Sequence, residues 1–69
     1  MSTLKDLRKS KRLNQTELAE RLNISRQAVS FYETGARTLP LDCIVPLSKI
    51  FEVSVETIVF SALASQQDQ

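Results

Sequence analysis

The sequence has no histidine, one cysteine and one glycine, and these shortages exclude several kinds of site. Cys43 cannot close a disulfide within the chain, and a lone thiol without histidine does not make a zinc site. We interpret it as a small buried apolar residue. Gly35 alone cannot build the glycine-rich loop that cradles phosphate, and the carboxylates are not clustered. We therefore expect no enzyme activity, no metal and no cofactor.

Long apolar runs are also missing. No segment approaches the ~18 apolar residues of a membrane span, and residues 1–6 lack the apolar stretch of a signal peptide. We expect a cytoplasmic protein without a membrane partner or a small-molecule ligand. Its 69 residues form one small domain, predicted at residues 1–64, followed by a polar, frayed tail at residues 65–69. Without disulfide or metal, such a domain depends on tight helix packing or oligomerisation.

Charge is distributed unevenly. The net charge is +1. Residues 1–40 hold eight Lys/Arg against four acids, a balance of +4, and residues 41–69 hold one lysine against four acids, a balance of −3. A basic half is typical of a domain with one side facing a polyanion. An ordinary solvated surface is the alternative, and charge alone does not choose between them.

Residues 15–34 have the pattern of two short helices that meet at a sharp turn. Asn14 followed by Glu17 predicts a capping box at the start of the first helix. Leu18 and Leu22 lie one turn apart on its inner face. Asn23 stands where the chain must reverse, and asparagine tolerates the left-handed conformation that ends a helix.

Ser25 predicts the start of the second helix, with Val29 and Tyr32 facing inward and Gly35 closing it. At 100° per residue, the opposite side carries polar side chains and an aromatic ring. We expect this side to contact a partner: Arg26, Gln27, Ser30 and Phe31.

These motifs resemble the phage repressor and Cro type of helix-turn-helix, the XRE family of bacterial regulators. The resemblance lies in LNQTELA at residues 13–19, SRQAVS at residues 25–30 and YETG at residues 32–35, and it extends from about Leu4 to Phe60. It implies an all-α, compact five-helix domain of the lambda repressor-like type that binds double-stranded DNA. It also implies a bacterial or phage-encoded, nucleoid-associated protein.

Helix 1 is predicted from near Thr3 to Arg12. In proteins that this sequence resembles, an arginine at the place of Arg8 pairs with a glutamate at the place of Glu33. We therefore expect a structural ion pair between helix 1 and helix 3. Removing one partner of a buried pair costs roughly 3–5 kcal/mol.

The side chains on the outer side of helix 3 are candidates for reading bases. Gln27 carries the amide that matches adenine N6/N7, and Arg26 can bind guanine O6/N7 or a phosphate. Ser30 can pair with either kind of base edge. Phe31 either packs on a thymine methyl group or folds against helix 4 or a loop.

Phosphate contacts are expected near the N-termini of the two motif helices, where unpaired N–H groups attract anions. The candidates there are Asn14, Gln15 and Ser25. The resemblance implies that Gln15 contacts phosphate and braces the recognition helix. Arg37, in the loop after helix 3, either contacts phosphate as in relatives or is a solvated loop residue.

Apolar residues repeat at three- and four-residue spacing after this loop and predict a fourth helix that buries Leu41, Ile44, Leu47, Ile50 and Phe51. Pro46 interrupts the pattern. Proline lacks an N–H and clashes with the carbonyl four residues earlier. We expect helix 4 to kink at Pro46 or to begin near Val45.

A fifth helix is predicted from Ser54, its cap, toward Leu63. It carries more apolar surface than the edge of one small domain can hide: Val55, Val59, Phe60 and Leu63. The alternatives are a homodimer seam and a helix packed back on its own core, and we favour the seam.

Together these features predict a sequence-specific DNA-binding transcriptional regulator, by default a repressor. As a homodimer it would bind a pseudo-palindromic operator. We expect these 69 residues to leave no room for a separate sensor domain. The alternative is a DNA-binding antitoxin or a protein-interaction adaptor with the same fold. The polar set Gln15, Arg26, Gln27 and Arg37 is specifically useful against DNA, and a pure oligomerisation domain would leave it unexplained.

Overall fold

The structure is a computed structural model that describes residues 3–67, and over this range it consists of five helices. They are α1 (Leu4–Ser10), α2 (Gln15–Leu22), α3 (Arg26–Thr34), α4 (Leu41–Phe51) and α5 (Val55–Gln67). The all-α, five-helix prediction is confirmed.

Side-chain caps define the starts of α1 and α2. The Thr3 hydroxyl accepts a hydrogen bond from the Asp6 N–H at 3.2 Å, and the Asp6 carboxylate accepts from the Thr3 N–H at 3.0 Å. Asn14 and Glu17 make the same reciprocal pair at 2.7 and 2.9 Å. Both starts are therefore capping boxes, which satisfy N–H groups that have no partner within the helix.

A left-handed residue separates α2 from α3, as the sequence predicts. Asn23 has φ 58°, and the Ile24 N–H donates back to the Ala19 carbonyl at 3.0 Å. The Ser25 hydroxyl then accepts from the third residue of α3 at 3.1 Å. Gly35, with φ 80°, ends α3 in the same left-handed conformation.

The core lies between the helices, and all five contribute to it. Ile58 of α5 is 0% exposed and Val29 of α3 is 2% exposed. The remaining buried apolar side chains that form this cluster are Leu4, Leu13, Leu18, Ala19, Leu39, Cys43, Leu47 and Phe51. Burial raises the pKa of the Cys43 thiol, and the neighbouring Asp42 charge adds to that effect. Cys43 is therefore a packed, protonated thiol at neutral pH.

α4 differs from its prediction in two respects. It begins at Leu41 and continues through Pro46 as one helix, so a start near Val45 is wrong. The carbonyl of Asp42, which loses its partner to Pro46, belongs to an exposed residue that water can reach. Leu41, predicted to face inward, is 72% exposed, because it lies on the side of α4 that faces away from the core.

α5 is longer than predicted. It continues through Ser65 to Gln67, so a frayed tail does not begin at residue 65. Ser65 is 1% exposed. Its hydroxyl accepts a hydrogen bond from the Leu4 N–H at 3.2 Å and donates to the Ser61 carbonyl at 2.9 Å. The last turns of α5 are thus hydrogen-bonded to the start of α1. The last two residues of the expected tail lie outside the described residues.

Candidate nucleic-acid interface

The starts of α2 and α3 border one open depression on the surface. Its lining consists of Lys5, Arg8, Asn14, Gln15, Thr16 and Arg26. Three of these side chains are cationic and none is acidic. Arg8 is paired with Glu33, so Lys5 and Arg26 supply the excess positive charge beside the two helix N-termini, which themselves attract anions.

A buried ion pair supports the floor of this depression. Arg8 Nε lies 2.6 Å from Glu33 Oε2, and Arg8 Nη2 donates to Glu33 Oε1 at 3.3 Å. The two side chains are only 9% and 4% exposed. Arg8 Nη1 also donates to the Leu13 carbonyl at 2.8 Å. One guanidinium therefore connects α1, the link before α2, and α3.

Gln15 extends this contact to the exposed surface. Its amide nitrogen donates to Glu33 Oε1 at 3.0 Å, and its amide oxygen accepts from Arg26 Nη1 at 3.3 Å. Arg8, Glu33, Gln15 and Arg26 thus form one continuous hydrogen-bonded series, which we call the polar chain. It runs from the buried pair to the first residue of α3.

The candidate base-reading residues differ in exposure. Arg26 and Gln27 are exposed at the first turn of α3, whereas Ser30 and Phe31 are half-buried farther along it. Two strong hydrogen-bonding groups therefore stand at the end of α3 that borders the depression.

Phe31 contacts the loop after α3. The Arg37 guanidinium carbon lies 4.8 Å from the centroid of the Phe31 ring, within the range of a cation–π interaction. Sequence reasoning considered the two residues separately. Their contact was missed because it depends on how the chain reverses at Gly35, which residue spacing does not specify.

The side chains of two further phosphate candidates, Asn14 and Ser25, are engaged in capping their own helices. The side-chain oxygens of Asn14 and Ser25 accept hydrogen bonds from the backbone of α2 and α3. These oxygens therefore order the helix starts. In helices generally, the remaining N–H groups of the first turn are the donors that attract an anion.

The predicted dimer residues lie at the surface of α5. Val55, Val59, Phe60 and Leu63 are all exposed, and Phe60 is the most open of them at 62%. Val59 and Leu63 also line an apolar groove against Ile44, together with Thr38, Leu39 and Ala62.

Sequence reasoning missed the exposed apolar residues of α4, Leu41 and Val45. The signal was available in the helical spacing. The two residues are four apart and share a side that excludes Cys43, Leu47 and Phe51, which face the core.

Over residues 3–67, no helix is long and apolar enough to cross a membrane. The same part of the chain contains no group of three or more His, Cys, Asp or Glu residues placed to hold a metal ion.

Comparison with known proteins agrees with the fold. A family model described as helix-turn-helix matches residues 4–58. The chain is 36% identical over 56 residues to the uncharacterized HTH-type transcriptional regulator YobD of Bacillus subtilis, covering 81% of this chain and 50% of that protein. It is 38% identical over 53 residues to the uncharacterized HTH-type transcriptional regulator YqaE of the same species, covering 77% and 46%.

A third relative is the HTH-type transcriptional activator BcrR of Enterococcus faecalis, 36% identical over 56 residues, covering 81% of this chain and 28% of that protein. The chain thus spans half or less of the length of these curated relatives. No solved structure gives a significant match. The match of the family model over most of the chain, together with these relatives, shows that the chain belongs to the XRE-type helix-turn-helix family.

Proposed function

We propose that this chain binds double-stranded DNA in a sequence-specific manner, with α3 in the major groove, and regulates transcription. The observation that carries the proposal is the position of Arg26 and Gln27. Both are exposed at the first turn of α3, beside a depression lined by three cations and no acid. The N-terminal residues of a recognition helix are the ones that contact base edges.

The polar chain supports this proposal because it fixes the start of α3 before DNA arrives. Glu33 holds Gln15, and Gln15 holds Arg26 at 3.3 Å. A side chain that is already oriented loses less entropy on binding. In the proposed complex, Gln15 contacts a phosphate and braces Arg26, which binds guanine or a neighbouring phosphate.

Gln27 has the clearest base-reading role in the proposal. Its amide can donate and accept at once, which matches adenine N6 and N7 in the major groove. Ser30, one turn along α3, supplies a weaker contact to either kind of base edge. The backbone N–H groups at the starts of α2 and α3 hold phosphates and set the register.

The proposed active unit is a homodimer whose seam is the exposed apolar side of α5. Residues 57–67 contain no charged side chain, so a twofold contact along this part of α5 brings no like charges together. The apolar groove beside Val59 and Leu63 offers a recess for the partner's Phe60, which is 62% exposed. A twofold seam predicts a pseudo-palindromic operator.

We propose repression as the regulatory outcome, because a compact dimer on a promoter excludes polymerase without needing another surface. The proposed location is the cytoplasm of a bacterium, on nucleoid or phage DNA, and the proposed binding requires no cofactor or small-molecule ligand. Transcription from a promoter that carries the operator should fall when the protein is present. A rise in transcription would contradict repression and leave DNA binding intact.

A second candidate is a DNA-binding antitoxin or protein-interaction adaptor. It is favoured by the exposed apolar residues on α4, Leu41 and Val45, which lie outside the proposed seam. A contiguous exposed apolar patch commonly marks a protein partner, and these two side chains lie one helical turn apart.

Selection from a random duplex library at about 0.15 M salt tests the DNA proposal, because nonspecific phosphate attraction is weakened at that salt. We expect an enriched pseudo-palindrome with half-sites about one helical turn apart. Gln27→Ala should lose about 1–3 kcal/mol of discrimination at one base position. Lys49→Ala, which removes an exposed cation of α4, is the control. Weak binding without any motif, or an equal loss for Gln27→Ala on selected and random duplexes, contradicts base reading.

Sedimentation equilibrium tests the seam. Phe60→Glu should convert a dimer to a folded monomer, because it places a carboxylate in the apolar groove that receives Phe60 in the proposed dimer. Leu41→Glu is the matched control on α4. A dimer that survives Phe60→Glu but dissociates with Leu41→Glu places the seam elsewhere.

A further inference from the structure

Phe31 holds Arg37 at two points. The Arg37 guanidinium lies over the Phe31 ring at 4.8 Å from its centroid, and the Arg37 N–H donates to the Phe31 carbonyl at 3.3 Å. The main chain and the side chain of Arg37 are therefore both anchored to the same residue of α3.

The turn at Gly35 makes this double contact possible. Its left-handed conformation, with φ 80°, reverses the chain directly after α3 and brings Arg37 back beside the last turns of the helix. Arg37 is exposed while Phe31 is half-buried. The Phe31 ring is therefore partly packed within the protein, and Arg37 is the residue of the pair that solvent or a ligand can reach.

Stacking leaves the guanidinium ready to bind an anion. Its N–H groups lie in the plane of the group and point outward from its edge, so an aromatic ring on its face does not block them. A planar fork that is held in place matches the geometry of a phosphate. An unsupported arginine must instead lose the freedom of several rotatable bonds when it binds.

We propose that Phe31 is a positioning residue for Arg37. Its ring holds the Arg37 guanidinium beside α3 with the N–H edge available to a DNA phosphate, and the ring itself reads no base. This inference rests on the proposed DNA binding and deepens it, because it replaces the thymine-methyl role of Phe31 with a role in backbone contact.

Phe31→Leu provides the test, because leucine keeps an apolar side chain and the backbone hydrogen bond but removes the aromatic face. Binding should weaken about two- to fivefold, the range expected for an exposed cation–π contact. The loss should be equal on selected and random duplexes. Phe31→Tyr, which keeps the ring face, should bind like the unchanged chain.

Salt dependence separates a phosphate role from a purely structural one. Arg37→Ala should reduce the slope of log K against log salt by about 0.9, the value for one phosphate contact. Phe31→Leu should move the slope in the same direction, and should have no further effect when Arg37 is already alanine. Lys49→Ala is the control for loss of one positive charge, and urea unfolding establishes that every variant is folded.

Proton NMR of the free protein gives a readout that needs no DNA. The Arg37 side-chain protons should be shifted upfield by the Phe31 ring, and the shift should disappear in Phe31→Leu. Absence of this ring-current shift in the unchanged protein overturns the inference.

Two binding outcomes also overturn it. One is a changed preference at a single base position in Phe31→Leu with an unchanged salt slope, which assigns base reading to the ring. The other is a Phe31→Leu effect that adds in full to Arg37→Ala, which makes the two residues independent. In both of these outcomes the protein still binds DNA, so the proposed function stands and only the role of Phe31 fails. If the unchanged chain binds no duplex at all, the proposed function fails too.

Discussion

The three N-terminal helices and α4 are held in place by different means. α1 and α2 begin with reciprocal side-chain caps, and the polar chain ties α1, α2 and α3 together. α4 begins at Pro40 without a side-chain cap hydrogen bond and contains Pro46. It is held by the burial of Cys43, Leu47 and Phe51.

The way each region is stabilised matches the surface proposed for it, which is a DNA-binding surface on α3 and a dimer seam on α5. Hydrogen bonds are directional, so a region built on them fixes the orientation of individual side chains such as Arg26. Apolar burial is not directional, and the α4–α5 region leaves large apolar side chains at its surface. The first region suits the reading of bases, and the second suits association.

Among the changes that test this comparison, breaking the buried ion pair should destabilise the protein most. We expect Glu33→Ala to lower the free energy of unfolding by roughly 3–5 kcal/mol, because Arg8 is left buried without its partner. Urea unfolding followed by circular dichroism measures the loss. The double variant Arg8→Met with Glu33→Leu should lose less than Glu33→Ala, since it leaves no unpaired charge. An unchanged unfolding midpoint for Glu33→Ala would mean that solvent reaches the pair.

A smaller loss is expected where the two regions meet. Ser65→Ala leaves the buried Leu4 N–H without its acceptor, at a cost of about 1–3 kcal/mol. Ser48→Ala is the matched control, because the Ser48 hydroxyl also donates to a helical carbonyl, at 2.7 Å, in a more exposed place. Equal unfolding midpoints for the two variants would show that α5 does not fasten α1.

Substitutions in the turn between α2 and α3 should cost less stability than the two changes above. Asn23→Ala forces alanine into the left-handed conformation, which costs about 1–2 kcal/mol. Asn23→Gly, which accepts that conformation freely, should stay close to the original stability. Thermal unfolding of the two variants checks the contrast, and alanine as stable as glycine would show that the turn rearranges.

The smallest effect on stability should come from protonating two exposed carboxylates, Glu52 and Asp6. The hydrogen bond and charge of Lys11 lower the pKa of Glu52 below its ordinary value of 4.5. The backbone N–H of Thr3 chiefly lowers the pKa of Asp6 below 3.8. A carboxylate whose pKa is lowered by folding stabilises the fold at pH values above its unfolded-state pKa. This stabilisation should be lost as the pH falls below about 4.5 for Glu52 and below about 3.8 for Asp6.

Urea midpoints between pH 7 and pH 3 measure this loss. Lys11→Met removes the main cause of the Glu52 shift and should flatten part of the pH dependence. Added salt should also weaken it, because the Lys11–Glu52 contact is exposed. Superimposable profiles for Lys11→Met and the unchanged protein would exclude the contribution.

The sequence predicted most of the α1–α3 region because its main signals are local. The caps at Asn14 and Ser25 and the left-handed turn at Asn23 involve residues within four positions of each other, so spacing and side-chain chemistry specify them. The Arg8–Glu33 pair, 25 residues apart, was expected through resemblance, and the structure contains it. Of the candidate interface, the sequence indicated the exposed side of α3. Resemblance also led us to expect that Gln15 braces the start of α3, but not that Gln15 is itself hydrogen-bonded to Glu33.

By itself, then, the sequence determined that five helices form and which side of α3 is polar, because helix starts and helix faces depend on residues a few positions apart. Only the tertiary structure decided that α4 runs unbroken through Pro46, that Leu41 is exposed, that Ser65 is buried against Leu4 and that Arg37 stacks on Phe31. Each of these depends on what the rest of the fold places beside a residue. Distant burial and chain reversal set those neighbours, and local spacing does not encode them.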